Sequence, residues 1–202
     1  VRPRLRGQAV LVRYADDVAI GFADEDDARR VFAVLPKRCE KFGLQLHPEK
    51  TRLFRFGCYA AERQRERGLG KPSTFDFLGL THICGKSKAG KFLLLRYSSK
   101  KRLRAKVRAV REELLRRRHL SVSKQGAWLS SVVRGYFAYH AVPTNGHRLG
   151  IFRVQVVRAW HRALTRRGQR DRSTWTRMHR LDERWIPKVR ILHPWPEECR
   201  CL

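Results

Sequence analysis

Acidic side chains are scarce in this chain. Its 202 residues hold 18 Asp and Glu against 46 Lys and Arg, a formal net charge of +28. A surface this basic selects a polyanion as partner, because Lys and Arg bind phosphate backbones and release counterions. Long apolar runs are also missing. No stretch approaches the roughly 20 apolar residues of a membrane span, and the opening Val-Arg-Pro-Arg-Leu-Arg-Gly-Gln has no long apolar region behind it. Neither a membrane partner nor a signal peptide is therefore expected. Cysteine is sparse and unpaired: Cys39, Cys58, Cys84, Cys199 and Cys201 are odd in number and scattered, with no Cys-x-x-Cys. That pattern argues against zinc and for a reducing, cytoplasmic compartment. Position 1 is Val rather than Met, as expected of a fragment or of an alternative start codon.

Hydrophobic residues make up 42% of the chain, enough for a core of one or two domains. The charge is uneven. Residues 1–97 carry 20 Lys and Arg against 11 Asp and Glu, a surplus of +9, while residues 98–202 carry 26 against 7, a surplus of +19. The second part is the main electrostatic handle.

The most informative stretch is Ala9-Val10-Leu11-Val12-Arg13-Tyr14-Ala15-Asp16-Asp17-Val18-Ala19-Ile20-Gly21-Phe22. Two β-type runs around a short polar joint predict a hairpin with Asp16 and Asp17 at its tip. Adjacent carboxylates repel unless a cation lies between them, and Mg²⁺ accepts one or two carboxylates together with substrate phosphates. Asp-Asp alone is equally at home in a plain polar turn. Tyr-Ala-Asp-Asp between two apolar strands in a chain this basic is more specific. It resembles the Tyr-x-Asp-Asp hairpin of reverse transcriptases, in the form common among group II intron enzymes. The resemblance implies that Asp16 and Asp17 are catalytic metal residues, that the cofactor is Mg²⁺, and that Tyr14 packs under the hairpin near the primer end.

Further along, Asp24 reads as a helix N-cap, and Glu25, Asp26 and Asp27 complement the helix N-terminus. Ala28, Val31, Phe32, Leu35, Cys39 and Phe42 recur at helical spacing. Pro36 should kink or split that helix, and Gly43 suits its C-terminal cap. Gly43-Leu44-x-Leu46-x-Pro48-x-Lys50-Thr51 resembles the palm just after the catalytic hairpin. Lys50 is thus either a residue approaching the triphosphate or a surface lysine in a turn. Residues 52–56 read as a strand, 57–74 as a loop, and 74–83 as a strand containing Phe77-Leu78-Gly79. This tripeptide resembles the primer grip, where Gly79 would let backbone approach the primer closely. Residues 86–91 form a basic turn and 92–97 the returning strand.

After Ser98 the pattern becomes helical. Leu103, Val107, Val110 and Leu114 form one stripe, and Trp128, Val132 and Tyr136, with Leu129, Val133 and Phe137, a second. Pro143-Thr144-Asn145-Gly146 is a turn. Phe152, Val156, Trp160 and Ala163 form a third stripe, and Trp175, Met178, Leu181 and Trp185 a fourth. The aromatics read as core. Arg158, Arg162 and Arg166, aligned every four residues, are the candidate RNA contacts, because Arg forks onto phosphates. The block resembles the thumb, or maturase domain, of group II intron proteins through Gly135-Tyr136-Phe137-Ala138-Tyr139, Val142-Pro143-x-Asn145, Arg158-Ala159-Trp160 and His193-Pro194-Trp195-Pro196.

The expected fold is α+β: a partial antiparallel palm sheet with a packed helix over residues 1–97, a helical thumb over 98–185 and an extended tail over 186–202. The resemblance implies an RNA-directed DNA polymerase with a maturase role, whose partners are intron RNA, an RNA template with its DNA primer, deoxynucleotides and an upstream reverse-transcriptase half. Such enzymes carry a third carboxylate and the fingers upstream of this hairpin. Only 15 residues precede Asp16 here and none is acidic, nor does a His-Asn-His nuclease segment follow the thumb. The isolated chain is therefore expected to lack polymerase activity. The alternative is a non-catalytic RNA-binding maturase chain or the remnant of a disrupted gene.

Overall fold

The computed structural model describes residues 5–167 and 174–195. Cys199, Cys201 and Pro196 lie outside them, as do the ends of the basic N-terminal segment and of the tail. In chain order the elements are β1 (Ala9–Tyr14), β2 (Asp17–Phe22), α1 (Glu25–Glu40), α2 (Ala60–Glu66), β3 (Phe75–Phe77), β4 (Leu80–Lys86), β5 (Phe92–Ser98), α3 (Lys100–Arg116), α4 (Val122–His140), α5 (Gly146–Thr165) and α6 (Trp175–Trp185). The class is α+β. The strands divide into two small sheets: an antiparallel β1-β2 pair, and a second sheet ordered β3-β4-β5. The chain forms two compact units. One holds the residues up to Leu78 together with Cys84–Leu93; the other holds Gly79–Ile83 and the described residues from Leu94 onward.

In the first unit α1 starts where its capping chemistry dictates. Asp24 accepts the N–H of Asp27 at 2.8 Å, and three acids occupy the first turn. The helix runs through Pro36 without splitting. It ends in a Schellman pair: Gly43, at φ +67°, donates to the Glu40 carbonyl, and Leu44 donates to the Cys39 carbonyl. Residues 52–56, expected as a strand, join no ladder. Their side chains instead pack locally, Phe54 and Phe56 lying 5.4 and 5.0 Å from the ring of Phe75. The expected loop of residues 57–74 contains α2. This helix has no apolar stripe to announce it, since its buried residues are Ala60 and Gln64. The single strand expected over 74–83 breaks at Leu78 and Gly79, whose φ angles are +49° and +75°. Two successive residues with positive φ make the tight joint of a β-hairpin. Burial in this unit is shallow: its buried apolar residues are Ala28 and Ala60, while Val10, Leu11, Val12, Val18, Val34 and Phe42 are exposed.

The second unit is built differently. The expected stripe Leu103, Val107, Val110 and Leu114 is buried, as are Leu129, Val133, Tyr136 and Phe137 of α4 and Phe152, Val156, Trp160 and Ala163 of α5. Met178 brings α6 into the same core. Gly126 lets α4 and α6 approach closely: an added Cβ would stand 2.6 Å from the Trp185 ring. The 143–146 turn is held by Asn145, fully buried, which accepts the Ser98 N–H at 2.9 Å and donates to Ser98 Oγ and the His140 carbonyl. Among the described residues no helix is long and apolar enough to cross a membrane.

Candidate functional site

The β1-β2 register places Leu11 opposite Ile20, Val12 opposite Ala19, Arg13 opposite Val18 and Tyr14 opposite Asp17. The joint is therefore the two residues Ala15 and Asp16. Ala15 adopts φ +50°, a left-handed conformation that alanine rarely takes. Arg13 Nε donates to the Ala15 carbonyl at 3.1 Å and braces the joint. Asp16 thus stands in the loop itself and Asp17 opens β2, both exposed. Tyr14, the cross-strand neighbour of Asp17, is 65% exposed. The packed position expected of Tyr14 is not formed, its ring being largely open to solvent.

The base of the hairpin is clamped to α1. Asp27 Oδ2 accepts the N–H groups of Arg6 and Gly7 at 2.7 and 2.9 Å, just ahead of β1, and its other oxygen pairs with Arg30. Ala23 N–H donates to the Gln8 carbonyl and extends the pairing past Phe22. Asp27 is buried, and the Gly7 N–H is the largest influence holding its carboxyl below the usual range. Glu25 receives Arg55 from Nε and Nη2 at 2.6–3.0 Å and Arg29 at 2.7 Å. Hydrogen bonding to Arg55, then Arg29, lowers its carboxyl to about 2. Sequence reasoning assigned these acids to capping and missed the clamp, because their partners lie some 20 and 30 residues away, at Gly7 and Arg55.

Lys50 ends a turn in which Lys50 N–H and Thr51 N–H both donate to the His47 carbonyl, and its side chain is exposed. Phe77, Leu78 and Gly79 form one joint. The space above Gly79 is taken by Arg102, whose Nη1 lies 2.8 Å from where a Cβ would stand. Arg158 and Arg162 are exposed along α5, and Arg166 is exposed at its C-terminal cap. The structure thus brings together Asp16 with Asp17, Phe77 with Leu78 and Gly79, and the three arginines with one another.

Two exposed carboxylates on a braced hairpin supply hard oxygen ligands of the kind that Mg²⁺ takes along with phosphate oxygens. Among the described residues no group of three or more His, Cys, Asp or Glu could hold a metal. Asp16 and Asp17 by themselves thus do not make a closed protein cage.

Residues 2–82 match the family model described as Reverse transcriptase (RNA-dependent DNA polymerase). The match covers less than half of the chain and includes Tyr14, Asp16, Asp17, Lys50 and the Phe77-Leu78-Gly79 joint. This segment is thus similar to reverse transcriptases, a likeness that supports RNA-directed DNA polymerase activity by family, with nucleic acid and nucleotides as partners. No curated protein matches the chain.

Proposed function

We propose that this chain is the catalytic-hairpin portion of the palm together with the helical thumb of a reverse transcriptase of the group II intron type, with a maturase role on intron RNA. The observation that carries the reading is the placement of Asp16 and Asp17 at the tip of a braced β-hairpin, within the segment similar to reverse transcriptases. In this reading Asp16 and Asp17 hold Mg²⁺, and Arg13 fixes their joint. A metal bound there would neutralise charge developing on the transferred phosphate. Lys50 attracts the triphosphate, and the Phe77-Leu78-Gly79 joint lies beside the primer, with Arg102 rather than open backbone over Gly79. Arg158, Arg162 and Arg166 bind structured RNA. The setting is cytoplasmic.

Both faces of the β1-β2 hairpin are apolar, with Leu11, Val18, Ile20 and Phe22 on one and Val10, Val12 and Ala19 on the other. Strands apolar on both faces belong inside a sheet covered on both sides. Several of these side chains are instead exposed. We take the missing cover to be an upstream reverse-transcriptase half, which would also supply a third carboxylate.

The second reading is a non-catalytic RNA-binding maturase. It is favoured by the charge surplus of residues 98–202. Primer extension on an RNA template with Mg²⁺ separates the two, run with this chain alone and with an upstream half supplied in trans or by fusion. The expected result is extension only in the reconstituted enzyme, abolished by Asp16→Asn with RNA binding retained. RNA binding without extension in any reconstitution would favour the second reading. Loss of RNA binding together with extension on Asp16→Asn would make Asp16 a structural turn residue.

A further inference from the structure

We propose that the ring of Trp175 is a stacking platform for an unpaired nucleobase, on an RNA strand that runs along α5. The inference rests on the reading that the helical unit binds RNA, and adds to it a subsite and a preference for unpaired nucleotides.

Trp175 differs from the other tryptophans of the helices. Trp160 is fully buried, and Trp128 and Trp185 pack partly buried against the core, whereas Trp175 is 50% exposed. Its ring is nevertheless held in place. It stacks on His161 of α5, with centroids 4.3 Å apart and planes 18° from parallel, and it lies 6.4 Å from the ring of His179. Thr174 caps the helix beneath it by accepting the Arg177 N–H, and Met178, one turn on, is fully buried in the core. The aromatic surface is therefore preorganised, so little side-chain entropy is lost when a flat ring lands on it.

The surface continues from that stack along α5. His147, Gly150, Ile151, Val154, Gln155 and Arg158 line an open depression. At 100° per residue, His147, Gly150, Ile151, Val154, Arg158 and His161 fall within about 100° of one another, so the depression and the stack share one face of the helix. Gly150 leaves its floor open, with nothing within 4 Å of an added Cβ. Arg111 Nη2 donates to Gln155 Oε1 at 3.1 Å and sets a cation at the rim, while Arg158 is an exposed cation one turn from His161.

A held aromatic face, an open depression and flanking guanidinium groups are the parts used to bind single strands, whose bases stack on aromatics while basic groups follow the backbone. A duplex keeps its bases stacked on each other and has none to offer Trp175. An acidic protein segment would satisfy the arginines but not the indole, and it is an outcome of the test.

The test compares two RNAs of equal length by fluorescence anisotropy, one a stem-loop with an adenosine-rich loop and the other fully paired. Stacking of one base predicts that Trp175→Ala weakens stem-loop binding roughly five- to hundredfold. It should leave paired RNA within about twofold and, because the indole is uncharged, leave the salt slope unchanged. Trp175→Tyr should restore most of the affinity. Abasic residues through the loop should cost the unsubstituted protein as much, and Trp175→Ala should then add nothing. Equal loss on both RNAs, or no loss on either, overturns the proposal, as does an acidic peptide that displaces paired and looped RNA alike with a dependence on Trp175. Failure of the unsubstituted protein to bind either RNA would instead overturn the RNA-binding reading itself.

Discussion

The indole N–H of Trp160 donates to Oε1 of Gln125 at 2.9 Å, and both side chains are fully buried. The amide of Gln125 faces the other way, with Nε2 donating to the carbonyls of Arg117, Arg118 and Leu120 at 3.0–3.3 Å. One side chain thus satisfies the donor on α5 and shares its two amide N–H groups among three carbonyls of the α3–α4 turn. Gln125→Leu keeps the bulk but leaves the buried Trp160 N–H without its acceptor, whereas the Arg117 carbonyl keeps the Leu120 N–H and the Leu120 carbonyl keeps Arg167 Nη2. A stability loss of about 1–3 kcal/mol is expected, the cost of one buried unsatisfied donor. Urea unfolding followed by tryptophan fluorescence measures it. A loss below about 1 kcal/mol would mean that water reaches the turn.

Two glycines on α4 should respond in opposite directions. Gly126→Ala drives a methyl group into the Trp185 ring, and overpacking of this kind costs about 1–3 kcal/mol. Gly135 is exposed on the same helix with open space around an added Cβ. Gly135→Ala should stabilise by roughly 0.5–1 kcal/mol through helix propensity. The pair of thermal melts should therefore bracket the unsubstituted protein.

Where hydrophobic period or capping chemistry is local, the structure could be read from the chain. Three of the helical stripes, the Asp24 cap, the Gly43 terminus and the Asp16–Asp17 hairpin all depend on neighbours within a few residues; in the fourth stripe Met178 is buried as expected, but Trp175, expected in the core, is 50% exposed. What could not be read depends on distant partners. Residues 52–56 have alternating strand character but find no strand to pair with, so Phe54 and Phe56 pack on Phe75 instead. A helix such as α2, buried through Ala60 and Gln64, carries no apolar period. Leucine at φ +49° in the Leu78–Gly79 joint runs against its own preference, and only the glycine beside it hinted at a turn. For the candidate site, the acids at the tip were legible, whereas the clamp of Asp27 on Gly7 was not.

That clamp gives the hairpin a pH dependence. Glu25 falls from an ordinary 4.5 to about 2 through Arg55 and Arg29, and Asp27 is held below its ordinary 3.8 chiefly by the Gly7 N–H. Both carboxyls bind protons more weakly when folded. Their contribution is therefore fully present above the unfolded values and is lost as pH falls from about 4.5 toward 2. Hydrogen exchange at the Arg6 and Gly7 amides should accelerate, relative to intrinsic rates, across that window. Asp27→Ala should remove the protection already at pH 7, with Arg6 and Gly7 exchanging as exposed amides. A protection factor flat from pH 5 to 2.5 would show that the clamp does not hold β1.

Arg158, Arg162 and Arg166 are presented to solvent at four-residue spacing by α5 and its cap. Exposed guanidinium groups in a row can each neutralise one phosphate, and each release of counterions adds about 0.9 to the salt slope on a duplex. Replacing all three by Gln should reduce the magnitude of the slope of log K against log salt by up to about 2.7 and weaken binding at low salt more than at high salt. The helix should persist, because none of the three is buried and Gln has nearly the helix propensity of Arg. Single replacements should each lower the slope by about 0.9 if the contacts are independent. A slope that stays unchanged while affinity falls would mean the arginines shape the surface without touching phosphate. A slope and affinity both unchanged would put the electrostatic footprint on the other basic faces, such as the Lys- and Arg-rich exposed side of α3.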